Sequence, residues 1–355
     1  MPPYTNLPLS PAELAYLHTS LAANPPIRPD ARKSTQFRPL IAERNVLPTA
    51  NGSARVCFAD GTEAVVGVKA EVEKTRTAYS QHDGEAVGTL KEVEQEEEGS
   101  KGKGRSEWLD LTIDVPGLRD DDALPTFLSA LLAEPLLADT GLLDRLYIND
   151  RYHWRLYIDI LLLSQPLSYP LPLLSLTTHL ALLSTRLPAL LSEQNEDPLF
   201  NDDWEASTYL YPPTTTQNQP TQTPPVTLLV VSVADTILFD PSKEELAVAD
   251  AVIAVSVTTT SDTTTNIDTT TINNRTTNSA TTPLALKLLA LRTIDPPSRL
   301  TPHTPGSSAD TDAASVWMPP RGGMPRSLVG KVVKACLEPG GVGEEVLRGL
   351  EGVEW

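Results

Sequence analysis

Residues able to carry chemistry are present in this chain, but not in the patterns that chemistry needs. The five histidines, His18, His82, His153, His179 and His303, show no HxH, HxxxH or HExxH spacing. No two therefore share one helix or strand face, as a metal site or proton relay requires. Cys57 and Cys336 form no CxxC pair; their count leaves one long-range disulfide open and offers no metal-like spacing. Gly-Gly occurs at 322–323 and 340–341, but neither doublet follows a strand and opens a helix as a phosphate cradle does. Walker-type, GxGxxG and GxSxG sequences are absent. Asp202 and Asp203 in FNDDW are carboxylates with the chemistry for a metal, yet beside Asn they read first as a turn or a helix cap. The residues alone assign no catalytic group, no metal and no cofactor.

The elements that must position these residues follow from periodicity. Residues 54–72 predict a hairpin turning at Asp60-Gly61, because glycine tolerates the positive φ of a tight turn. Leu109, Leu111, Ile113 and Val115 alternate on one face of a third strand. Asp120, Asp121 and Asp122 open a helix expected to run to about Asp139, the acids favouring its positive end. Residues 152–164 predict a strand, amphipathic at first and buried throughout later, and a helix follows at about 172–192. The second half resembles the first, with strands at 226–235, 236–240, 246–257 and 283–292 and a helix at 325–337. The fold class is α/β (α+β): mixed sheets with packed helices in two similar halves.

Forty per cent apolar residues in 355 supply a core, while 32 prolines signal interruptions. Low-complexity inserts are expected at 81–106, 212–225, 258–282 and 301–315, the third holding 13 threonines; none offers an apolar face to bury. One domain spanning 1–355 remains. The net charge of −18 argues against a stand-alone nucleic-acid binder, although residues 1–80 carry a net +2. No signal peptide is evident, and the uncharged run of 160–185 is broken by Pro166, Pro170 and Pro172. It reads as a buried strand, a turn and a buried helix rather than a membrane span.

The motif IRPDARKSTQFRPL at 27–40 closely resembles the opening of RNase PH-type exosome subunits, I-R-x-D-G-R followed by F-R-P, with Ala31 in place of glycine. VLPTANGSARV (46–56), AVVGVKAEV (64–72), WRLYIDILLL (154–163), FNDDWEAS and ILFDPSKEEL are similar to later family segments in order and spacing. The resemblance implies an RNase PH-like fold and a place in the exosome core, a ring of this chain and five other RNase PH-like subunits. It further implies OB-fold and KH-domain caps, a hydrolytic nuclease, RNA threaded through the channel, and a nuclear (including nucleolar) and cytoplasmic location.

Two departures from the family pattern bear on activity. Active relatives carry an Asp-rich segment just after the central strand, whereas this chain has SQPLSYPLPLL at 164–174 and no Asp or Glu from Ile160 through Leu191. Asp159 is read as buried or turn-anchoring. The helix before the central strand, which carries arginines in archaeal relatives, contains no Lys or Arg between Asp120 and Asp139. The expectation is a catalytically inactive structural subunit with no cofactor. The rivals are an active phosphate-dependent 3′-to-5′ exoribonuclease and a diverged adaptor outside the exosome. Arg28, Arg32, Arg38, Arg145 and Arg151 are the candidate RNA contacts, the first three being as well suited to pairing with acids inside the fold.

Overall fold

The hairpin turns where the sequence requires it, with Gly61 at φ +85°. The strands it joins, β2 (Gly52–Phe58) and β3 (Glu63–Lys74), pair antiparallel. The computed structural model describes residues 9–75, 104–119, 121–192, 196–212, 222–259, 284–294 and 324–353. Apart from their edges, the four inserts lie outside these residues. Before β2 stand helix α1 (Pro11–Ala22) and strand β1 (Leu40–Arg44). After β3 come β4 (Leu109–Asp114), α2 (Ala123–Ala138), α3 (Thr140–Arg145), β5 (Tyr147–Asn149) and β6 (Tyr152–Leu162). These strands form one sheet in the order β1-β2-β3-β6-β4, with β5 on β6, and β4 runs parallel to β6.

The uncharged run resolves as expected into the end of β6, a proline-rich loop and helix α4 (Leu171–Ser184). Every residue of α4 except Leu183 is buried, because the helix lies between the first sheet, at β1, β2, β3 and β6, and strand β9 (Val226–Val233) of the second. A helix apolar all round is what such a position demands. Among the described residues no helix is long and apolar enough to cross a membrane. α4 ends eight residues before the predicted 192. Thr185 turns extended, and the Arg186 amide donates to the Asn51 carbonyl, which carries the chain into β7 (Arg186–Leu187).

β7 pairs with β8 (Thr208–Tyr209). The second sheet is antiparallel throughout, in the order β10 (Thr236–Phe239), β9, β11 (Ala251–Thr259), β12 (Leu286–Ile294). Each half is thus a sheet with helices packed on it, but the first has six strands and a parallel pair, the second four. Helix α6 (Arg326–Leu337) packs on β11 and β12, and α7 (Val342–Glu351) packs on α6.

Several expectations are corrected. β6 is not buried throughout its second part. Its inward side chains Leu156, Ile158, Ile160 and Leu162 are buried, while Leu161 and Leu163 on the other face are exposed, because only one face of this sheet carries α4. Asp159 belongs to that open face and is exposed. The strand predicted from 246 begins only at Ala251, since Ser242 and Glu245 close a capping box over a short helix, α5 (Lys243–Ala247). Cys57 and Cys336 are both free, so no disulfide joins them. Asp122 takes the N-cap position of α2 but accepts from the Arg119 amide instead of capping the helix. At the insert edges, Thr223, Thr258 and Thr259 are buried and bonded to one another.

Candidate functional site

The opening motif folds onto the loop between β10 and α5. Arg28 is 3% exposed, and its Nε and Nη2 each donate at 2.7 Å to the two carboxylate oxygens of Glu245, itself fully buried. Its remaining N–H groups reach the carbonyls of Lys33, Phe239 and Asp240 at 3.0–3.2 Å. This is the planar five-donor geometry that lysine cannot supply. Glu245 also accepts from the Ser242 amide at 2.8 Å, so one carboxylate both starts α5 and neutralises Arg28.

Asp240 is the second centre. It is fully buried, sits at φ +48° and receives Arg32 Nη1 at 2.8 Å and Arg38 Nη2 at 2.7 Å. Asp tolerates this left-handed backbone better than most residues. Arg32 also binds Asp30. Arg38 lies over the Phe58 ring, 4.5 Å from its centroid, and donates through Nη1 to Asp60 at 2.6 Å and to Ser168 Oγ at 2.7 Å. Burial opposes the Asp60 charge, but the Thr62 hydroxyl and amide and the Arg38 guanidinium outweigh it and hold the carboxyl below its usual range. Ala31, where the resembling motif has glycine, takes φ +59°, the backbone region glycine favours.

Arg38 leads to the loop where active relatives are expected to hold their acids. Pro166, Ser168, Tyr169 and Pro170 are buried there. The space between them, Phe58, Thr62 and Leu173 amounts to about 10 Å³. The residues in this gap bear hydroxyls and rings and the Arg38 guanidinium, but no carboxylate. A proton donor to a leaving oxygen needs an acid, and residues 160–191 contain no Asp or Glu.

A larger cavity, about 530 Å³, opens between β4, β6 and the first turns of α2, with Thr112, Asp114, Pro125, Thr126, Asp159 and Leu161 in its wall. Thr112 Oγ1 donates to Asp159 at 2.7 Å. Two carboxylates occupy a region that would need cations to hold RNA phosphates.

The five arginines therefore do not form one basic surface. Arg28, Arg32 and Arg38 converge on Asp240 and Glu245 inside the fold. Arg145 lies over the Tyr211 ring at 4.5 Å and donates to the Leu210 carbonyl at 3.2 Å. Arg151 stands apart on the β5–β6 turn and pairs with Asp197 at 3.2 Å. Asp240 and Glu245 were missed as partners of the motif, although the Ser242-Lys-Glu-Glu245 capping pattern was there to be read. Among the described residues no group of three or more His, Cys, Asp or Glu could hold a metal ion.

Comparison with known proteins decides what this architecture is. The profile of RNase PH, the 3′ exoribonuclease family, domain 1, matches residues 36–188. The chain is 30% identical over 248 residues to exosome complex component RRP42 of Saccharomyces cerevisiae, covering 68% of this chain and 78% of that protein. It is 32% identical over 263 residues to exosome complex component rrp42 of Schizosaccharomyces pombe, covering 70% and 77%. The chain belongs to the RNase PH family of exosome components. Its fold is that of the archaeal exosome core, with a TM-score of 0.54 at 17% identity over 95% of this chain and 94% of that one. The Archaeoglobus fulgidus exosome with RNA bound to the active site matches with the same score and identity, over 95% and 96%. In this RNase PH-family chain the opening motif ties the N-terminal segment to the second sheet.

Proposed function

We propose that this chain is a structural subunit of an RNA exosome core. It builds the ring and channel through which RNA is threaded for 3′-to-5′ processing and degradation, and it contributes no catalysis of its own. The observation that carries the reading is the loop after β6, which holds no Asp or Glu and whose buried side chains meet Arg38 without a carboxylate among them, within a chain about 30% identical to two yeast exosome components. The expected partners are five other RNase PH-like subunits, OB-fold and KH-domain caps and a hydrolytic nuclease, in the nucleus, nucleolus and cytoplasm. RNA contacts belong to the assembled channel, since the arginines of the opening motif are engaged within the fold.

The test has two parts. The tagged full chain, purified gently from its host, should bring down the five other RNase PH-like subunits in similar amounts. The purified chain, incubated with RNA and inorganic phosphate, should release no nucleoside diphosphate. Phosphate-dependent release would establish an exoribonuclease instead. A stable monomer without ring partners would make the chain an adaptor outside the exosome.

A further inference from the structure

Between α4 and the second sheet the chain makes an excursion at 188–207, closed at its base by the β7–β8 pairing. Among its described residues, 188–192 and 196–207, Leu190 bridges Phe200, and the Leu191 amide donates to the Leu199 carbonyl at 2.8 Å, so these two segments pair as a narrow arm. Phe200 anchors it by packing on Trp154, ring centroids 5.0 Å apart. The other large apolar side chains point away from the core: Leu190 is 45% exposed, Leu191 56%, Leu199 63% and Trp204 48%. Scattered surface leucines are ordinary, but four large apolar residues on one short arm are characteristic of an interaction surface. Trp is moreover the residue type most enriched at binding hot spots.

Charge selects the occupant. Residues 188–207 contain six acids and no Lys or Arg. Glu196, Asp197, Asp202, Asp203 and Glu205 are all exposed, with Arg151 of the neighbouring turn paired to Asp197. RNA, bound through its phosphates, is repelled by such a surface. A second copy of a chain with net charge −18 is a poor match as well. We propose that this arm is a protein-docking surface that seats Leu191, Leu199 and Trp204 in an apolar cleft bordered by lysines and arginines, on a neighbouring subunit of the ring. This rests on the ring reading above and names the surface and the partner chemistry. The acids steer and orient the encounter, and the apolar side chains supply the affinity.

The experiment is reconstitution of the full chain with the five other RNase PH-like subunits, followed by size-exclusion chromatography across a salt series. Two variants are compared with the wild type: Leu191→Ser with Leu199→Ser, and Asp202→Asn with Asp203→Asn. Both alter exposed side chains, and Asn preserves the cap that Asp203 gives the Glu205 amide, so melting curves should not move. The leucine variant should assemble roughly tenfold or more weakly. The asparagine variant, with two of the six acids neutralised, should show a shallower salt dependence than the wild type. A photo-crosslinking residue at position 199 should attach to a protein segment flanked by Lys and Arg. Equal assembly and equal salt dependence of all three proteins would overturn the docking arm while leaving the ring reading intact. Crosslinking of position 199 to RNA would overturn it too. Failure of the wild type itself to join the five subunits would remove the ring reading and the arm's role together.

Discussion

Arg28 and Glu245 show how different two formally similar ion pairs are. Both side chains are fully buried, and each meets the other through two 2.7 Å hydrogen bonds. Breaking such a pair from one side leaves a buried guanidinium without its two short bonds, its remaining counter-charge being Asp30 at 3.7 Å. Glu245→Gln should therefore cost about 3–5 kcal/mol of stability in chemical denaturation. Arg151 and Asp197 are solvent-facing, so Arg151→Ala should change stability by less than about 1 kcal/mol. If the two substitutions cost the same, the division of the arginines into internal and surface groups is wrong. His179 adds a pH dependence. Burial, joined by the Arg44 charge, outweighs the carbonyl bond from Pro224 and pushes its pKa from 6.5 down to about 4. Nδ1 donates to that carbonyl at 2.8 Å, and Nε2 has no hydrogen-bond partner. As pH falls, the unfolded chain takes up a proton near 6.5 that the native state refuses until about 4. Stability is therefore complete above the upper value and is lost across that window, by about 2 kcal/mol from pH 7 to pH 5. Denaturation of wild type and His179→Leu at both pH values checks this: the variant starts lower but should show a correspondingly smaller loss.

At the scale of elements, α4 determines how the two sheets meet. Its C-terminal end fits so closely against β2 that a methyl group on Gly52 would lie 2.5 Å from Thr185 Cα and 2.6 Å from the Thr185 amide nitrogen. Backbone on both sides cannot rotate away. Gly52→Ala should thus cost about 3 kcal/mol, at the upper end of overpacking effects, measurable as a lowered denaturation midpoint with an unchanged slope. The legibility of these elements differed for physical reasons. The β2–β3 hairpin, β4 and α4 were readable because alternation, a Gly turn and a proline-bounded apolar run are local signals. The helix α1 was missed although Ser10, Pro11 and Glu13 form a capping box with proline at its start, and α7 was hidden by the glycines around it. The exposure of Leu161 and Leu163 was illegible, since the sequence does not say which sheet face a distant helix will cover. The candidate site was half legible. Residues 27–40 marked the arginines, but their partners Asp240 and Glu245 lie more than 200 positions away, and no local periodicity reports such a pairing.

At the scale of the whole molecule, the net charge of −18 is met by candidate RNA-contacting arginines that are engaged among the described residues. Arg28, Arg32 and Arg38 face Asp240, Glu245, Asp30 and Asp60. Arg145 is engaged over Tyr211, and Arg151 meets Asp197. Phosphate binding releases counterions in proportion to the phosphates neutralised, so affinity for single-stranded RNA falls with salt at a slope of about −0.7 per contact. An isolated chain with its arginines so engaged should bind single-stranded RNA no more tightly than about 10⁻⁴ M at physiological salt. Its slope of log K against log salt should be shallower than about −1.5, corresponding to roughly two phosphates. Fluorescence anisotropy of a labelled oligonucleotide across a salt series measures both quantities. A slope near −3.5 would mean about five phosphate contacts; meeting them with the candidate arginines would require Arg28, Arg32, Arg38 and Arg151 to leave their carboxylates, at a desolvation and pairing cost the buried Arg28–Glu245 geometry opposes. A shallow slope for the isolated chain together with a steep one for the reconstituted ring would place the RNA-holding cations on the neighbouring subunits. This chain would then supply the wall that positions them.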